Sequence, residues 1–186
     1  RSDYAASPRP VLSSLTMSAP RVILASASPR RRRLISWLGI DAEMTATDTP
    51  EDLTRPLPPD RLAEGIAADK ARAAQAAGAR DALALAFDTV VVSDGRVLGK
   101  PADEQDARRM LRALSGRDHH VVTGVALLGA GAEIPDTMSV TTRVEMRVLD
   151  EASIETWISQ GEALGCAGAY NIEHHLASVS DDECYQ

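Results

Sequence analysis

Arg21-Val22-Ile23-Leu24-Ala25-Ser26-Ala27-Ser28-Pro29 decides the fold class, and the rest of the chain is read outward from it. Val22, Ile23 and Leu24 form a short, continuous apolar run, the pattern of a strand buried on both faces, so a strand is expected over Arg21–Ala25. A helix follows at once: Ser28 is an N-cap residue, Pro29 suits the first helical position, Leu34, Ile35 and Leu38 supply an apolar face, and Gly39 ends it. Strand, tight turn and helix start therefore succeed one another within a few residues, the local signature of an α/β unit.

Downstream, residues 41–60 are polar and Pro-rich and read as a loop, with a strand as the alternative for its first residues. Residues 60–77 read as an Ala-rich helix capped by Asp60 and closed by Gly78, with Leu62, Ile66 and Ala73 on one stripe. Leu83–Phe87 and Thr89–Val92 make a β-branched strand interrupted at Asp88, and Ser93-Asp94-Gly95-Arg96 is a hairpin turn into Val97–Leu98. A helix over 103–114 is followed by two long strands, His119–Leu128 and Thr137–Leu149. The second alternates Val140, Thr142, Val144, Met146 and Val148, as a one-sided antiparallel strand does. Asp150 caps a last helix through Gln160, stopped by Gly161. The expected fold is a single α/β domain with a mixed, twisted sheet flanked by helices. Residues 1–20, rich in Ser, Pro and Ala, are set aside as a mobile leader, leaving 21–186 as the domain.

At 186 residues, 44% hydrophobic and 25% charged, the chain has the composition of one globular domain, and no apolar run approaches the roughly 18 residues of a membrane span. A net charge of −7 opposes a nucleic-acid backbone at long range, and an aromatic share of 3% supplies few stacking platforms. Small phosphorylated ligands, met by a local basic pocket, fit better than DNA or a membrane surface. Cys166 and Cys184 make neither a CxxC pair nor a disulfide framework, so a reducing cytoplasm is expected.

Four places carry chemistry. Ser26-Ala27-Ser28-Pro29-Arg30-Arg31-Arg32-Arg33 puts hydroxyls and guanidinium forks at a helix start, where unpaired N–H groups and the helix dipole favour an anion. It reads equally as a capped surface helix with solvated arginines. Asp88, flanked by Phe87 and Val90, is costly to bury as an ion unless it is paired or holds a metal, which suggests a metal ligand or general base, or else a strand-end hydrogen bond. Lys70 lies along the stripe of Leu62 and Ile66, where it either reaches a phosphate or snorkels. Lys100, in Gly99-Lys100-Pro101, is presented rigidly after the hairpin; an ordinary turn lysine is the alternative. The pairs His119-His120 and His174-His175 point to opposite faces of a strand and are read as structural or exposed.

The run Ser26-Ala27-Ser28-Pro29-Arg30-Arg31, Glu51, Ala68-Asp69-Lys70-Ala71, Phe87-Asp88-Thr89-Val90-Val91, Gly99-Lys100-Pro101, Thr123-Gly124 and Ala167-Gly168-Ala169-Tyr170 resembles the Maf family of nucleoside triphosphate pyrophosphatases in order and spacing. The resemblance implies a deep cleft, a homodimer, a divalent cation (Mg²⁺ or Mn²⁺) and hydrolysis between the α and β phosphates. It assigns Asp88, Glu51, Lys70 and Lys100 to catalysis, and Glu51 and Asp88 to the metal. Ser26, Ser28, Arg30 and Arg31, with the two lysines, take the substrate phosphates. Thr89 and Glu173 bear on the base. Glu173 and Cys166 are similar to a 7-methyl-GTP branch, while Arg30 and Thr89 are similar to a dTTP/UTP branch; a carboxylate accepts the donors of a guanine edge, which tilts the reading toward guanine. The family's other named role, a nucleotide-binding regulator of septum formation, is the alternative. A Gly-Leu-Pro strand and final helix usual in the family lie beyond Gln186, so a trimmed chain is expected.

Overall fold

A computed structural model describes residues 20–161 and 163–171. Ten regular elements are described, in the order β1 Val22–Ala25, α1 Pro29–Trp37, β2 Ala42–Met44, α2 Pro59–Ala74, β3 Leu83–Ser93, β4 Arg96–Leu98, α3 Glu104–Leu114, β5 Asp118–Leu128, β6 Asp136–Glu145 and α4 Glu151–Ser159. The sheet runs β2-β1-β3-β5-β6, with β4 paired to β3. β1 is parallel to β2 and β3, whereas β3 pairs antiparallel with β4 and β5, and β5 with β6, so the sheet is mixed as the sequence implied.

The central strand differs from expectation. β3 is unbroken through Asp88, which stays in the ladder opposite Gly124 of β5. A buried carboxylate need not interrupt a strand when its backbone groups are paired and only its side chain needs a partner. The Asp94-Gly95 hairpin forms with both residues at positive φ, 48° and 73°, the conformation a two-residue type I′ turn demands.

α2 begins at Pro59, not on an Asp60 cap. Pro58 holds the cap position without a side-chain bond, Pro59 presets the first helical φ, and Asp60 lies inside the first turn where the dipole favours it. The helix passes into a π-turn over Gln75–Ala79, which Gly78 closes at φ 115°. α2 lies across β1, β3 and β5 through small side chains, Ala67, Ala71 and Ala74 against Ala84, Ala86 and Ala126. The closest approach is at Gly124, where a Cβ would lie 2.2 Å from the backbone carbon of Ala63 and 2.4 Å from the nitrogen of Glu64. The opposite face of β3 is covered by α3 and α4, with Met110, Leu111, Leu114, Ile154 and Ile158 packed on Val91. Asp150 caps α4 as read, accepting from Ser153 N at 2.7 Å, and Asp103 caps α3 in the same way, accepting from Asp106 N at 2.8 Å.

Two apolar faces are less buried than their periodicity implied. On α1 only Ile35 is buried, while Leu34 and Leu38 face outward. β6 stops at Glu145, short of Leu149, because Met146 N turns to Arg117 O while Gly116 N bonds Arg147 O. Its Met138 and Val140 lie on the side away from α2, which Ser139 faces, and remain more than half exposed.

Candidate active site

Five segments converge at the carboxyl end of β1, the region where open α/β sheets place ligands. The turn from β1 into α1 brings Ser26 and Ser28. The Ser26 Oγ accepts from Ser28 N at 3.2 Å, and Ser28 caps α1 by accepting from Arg31 N at 3.5 Å. Arg31 is not solvated: its guanidinium folds back over the Phe87 ring, donating to Phe87 O at 3.0 Å, Thr89 Oγ1 at 3.3 Å and Ser26 Oγ at 3.5 Å. Burial lowers its pKa against the opposing pull of Asp88 and Glu51. Arg30 donates to the buried Cys166 thiol at 3.3 Å, while Arg32 and Arg33 are exposed. The run thus divides, two arginines turned inward and two outward.

The charged centre is built on Lys70. Its stem runs along the buried face of α2 and its Nζ donates to Asp88 Oδ1 at 2.6 Å and Glu51 Oε1 at 2.8 Å. Lys70 and Asp88 side chains are only 10% and 5% exposed, so snorkelling to solvent is replaced by an internal ion pair. Lys100, half-exposed beyond β4, donates to both Glu51 oxygens at 2.9 and 3.2 Å, so it is more than a turn lysine. Burial pushes the Asp88 carboxyl above the usual carboxylate range, and Lys70 offsets only part of that. Glu51 moves the other way: burial raises it, but hydrogen bonds from Lys70 and Lys100 outweigh that and hold it low. Two carboxylates with pKa values pushed apart form the arrangement in which one stays ionised and the other is poised to exchange a proton.

Among the described residues no group of three or more His, Cys, Asp or Glu converges. Glu51 and Asp88 do converge, on the one cation position now filled by the Lys70 ammonium. Two hard oxygen donors suit a divalent ion that takes its other contacts from water and phosphate. His119 is structural: it is buried, and its Nε2 meets the Tyr170 hydroxyl at 2.7 Å. Glu173, His174, His175 and Cys184 lie outside the described residues. Sequence reasoning gave Thr123 no role of its own; its hydroxyl pairs with Thr89 at 3.1 Å, a contact that depends on strand register and leaves no local signal.

An α/β sheet with lysines and arginines gathered around one buried carboxylate, Asp88, and one part-exposed carboxylate, Glu51, is the frame of an enzyme that handles phosphorylated small molecules. The chain belongs to the Maf-like protein family, which it matches over residues 21–183. Relatives include the dTTP/UTP pyrophosphatase of Moorella thermoacetica, 46% identical over 82% of this chain and 78% of its own, and that of Pelotomaculum thermopropionicum, 43% identical over 84% and 82%. Among solved structures, the Staphylococcus aureus Ham1 protein is matched at 14% identity and a TM-score of 0.48 over 67% of this chain and 71% of its own. A likeness that loose adds nothing to the topology described above.

Proposed function

We propose that this protein hydrolyses nucleoside triphosphates at the α–β anhydride, giving the monophosphate and pyrophosphate. The observation that carries the reading is the Lys70 ammonium clamped between Glu51 and Asp88, with Lys100 on the far side of Glu51. Such a cluster supplies what phosphoryl-group hydrolysis needs, positioned charge and a proton acceptor, with little covalent chemistry asked of the protein.

Lys70, Lys100 and Arg30 bind and orient the polyphosphate, and Ser26, Ser28 and Arg31 shape the turn against which it rests. Asp88 accepts the proton of the attacking water. As the new P–O bond forms, the bond to the bridging oxygen breaks and pyrophosphate leaves with the electron pair. Glu51 and Asp88 are the residues that would hold a divalent cation. Bound there, Mg²⁺ or Mn²⁺ would neutralise phosphate charge and polarise the phosphoryl oxygens.

For the base, relatives named dTTP/UTP pyrophosphatase support a pyrimidine substrate, in line with Arg30 and Thr89. Glu173 favours a guanine-type base as the second reading. No helix among the described residues is long and apolar enough to cross a membrane. Exposed Met138 and Val140 support assembly as a homodimer. Pyrophosphate release from dTTP, UTP, GTP and 7-methyl-GTP, each with Mg²⁺ and with Mn²⁺, tests the proposal. Preferred release from dTTP and UTP supports the first reading, and preference for the guanine substrates the second. Binding without release would instead favour the regulator of septum formation.

A further inference from the structure

The loop that carries Glu51 is fastened to α2 twice, and only the inner fastening belongs to the reacting cluster. Inside, Glu51 meets Lys70. Outside, four residues along the loop, Arg55 Nη2 donates to Asp69 Oδ2 at 2.7 Å, and Asp69 is the immediate neighbour of Lys70. Both side chains of this outer pair are one-third exposed. Between the two points Leu53 packs on Ala63, Val90 and Val122, and its Cδ1 fills the space a Cβ on Gly99 would need, 2.4 Å away, beside Lys100. Asp52 steadies the turn by accepting from Thr54 N and Oγ1 at 2.9 and 2.6 Å.

An outer groove of about 390 Å³ runs past the same pair; in it Arg61 pairs with Glu64, Arg72 with Asp69, and Arg55 with Asp69 and, at 3.9 Å, with Asp52 of its own loop. The Arg55–Asp69 pair stands where this groove meets the Glu51 loop and joins that loop to α2.

We infer that Arg55 and Asp69 are positioning residues for the reaction: they act through Glu51 by holding its loop at a set distance from Lys70. This rests on the proposed role of Glu51. A part-exposed ion pair adds little to global stability, whereas a shift of about 1 Å in a catalytic group costs up to ~100-fold in rate. The effect should therefore fall on catalysis and leave folding nearly untouched.

The test is a double-mutant cycle read by pyrophosphate release and thermal unfolding. Arg55→Ala and Asp69→Ala are each expected to lower kcat/KM by about tenfold or more with Tm within about 3 °C of wild type. Arg55→Ala/Asp69→Ala should be no worse than the poorer single variant, because the Arg55–Asp69 contact is the one both remove; Arg55→Ala also loses the longer 3.9 Å pair with Asp52 inside the loop. Arg55→Lys should recover most of the loss, and Arg72→Ala, which breaks only the other contact of Asp69, should behave as wild type. Additive losses, unaltered kinetics in Arg55→Ala, or a loss that tracks a fall in Tm without rescue by lysine would each overturn the inference. A wild-type chain that releases no pyrophosphate from any nucleotide removes the proposed function itself, and this inference with it. A working wild type with unmoved variants removes the outer fastening alone.

Discussion

Gly124→Ala probes the contact that sets the height of α2 over the sheet. The new Cβ would stand 2.2 Å from Ala63 C, 2.3 Å from Ala63 O and 2.4 Å from Glu64 N, all backbone atoms that no rotamer change can remove. Carbon atoms in ordinary contact are about 3.5–4.0 Å apart, so the helix must retreat by roughly 1.3 Å or more at this point. Lys70 lies seven residues, about two turns, further along the same helix, and Gly124 is the direct partner of Asp88 in the ladder. A comparable retreat would stretch the 2.6 Å Lys70–Asp88 bond to about 3.9 Å, beyond hydrogen-bonding range. Overpacking of this kind costs about 1–3 kcal/mol, a fall in Tm of roughly 3–10 °C, and the misplaced ammonium should lower kcat/KM by about 100-fold. Thermal unfolding and pyrophosphate release are measured together, with Gly165→Ala as control, since a Cβ there meets nothing within 4 Å. Wild-type Tm and activity in Gly124→Ala would refute the close-approach argument. Lost stability with retained kcat/KM would show that Lys70 follows its partner and that helix height does not govern the site.

Asp88→Asn keeps size and fold but loses the proton-accepting charge, so kcat should fall by about 10²–10⁴ with an unchanged circular dichroism spectrum; near-wild-type turnover would remove Asp88 from the chemistry. Lys70→Ala and Lys100→Ala should both weaken catalysis but separate in stability. The first leaves a buried carboxylate without its ammonium and should cost about 3–5 kcal/mol in urea unfolding, and the second, half-exposed, should cost less than about 1 kcal/mol. Equal losses would show that burial does not distinguish the two lysines. Burial holds the His119 imidazole below its ordinary value of 6.5, so the unfolded chain binds the proton more tightly. The stability this confers is complete above about pH 6.5 and is lost as pH falls through the folded value, by at most about 1.4 kcal/mol per pH unit. Unfolding midpoints between pH 7.5 and 5.5 should therefore fall more steeply for wild type than for His119→Phe, and parallel slopes would exclude His119 as the cause.

Much of this molecule is written locally. Ser28-Pro29 starts α1, Asp103 and Asp150 cap α3 and α4, Asp94-Gly95 turns the hairpin, and the apolar run of β1 followed at once by a helix marks an α/β unit; each depends on residues within a turn or two of one another. The polar residues out of place in apolar periodicities, Lys70 on a buried stripe and Asp88 in a core strand, were visible for the same reason, since burial of a charge is legible wherever the surrounding pattern is regular. Which partner resolves each conflict was not. Lys70 and Asp88 are eighteen residues apart and Glu51 nineteen on the other side, and only the docking of α2 on β3, with the Glu51 loop folded against them, brings the three within hydrogen-bonding distance. Strand register likewise decides that Thr123 stands by Thr89 and Gly124 opposite Asp88, because a slip of one residue would turn every side chain to the other face. The apolar alternation of β6 and the Leu34/Leu38 face of α1 mislead for the converse reason: periodicity marks a face that could be buried, and only the packing of other elements determines whether it is.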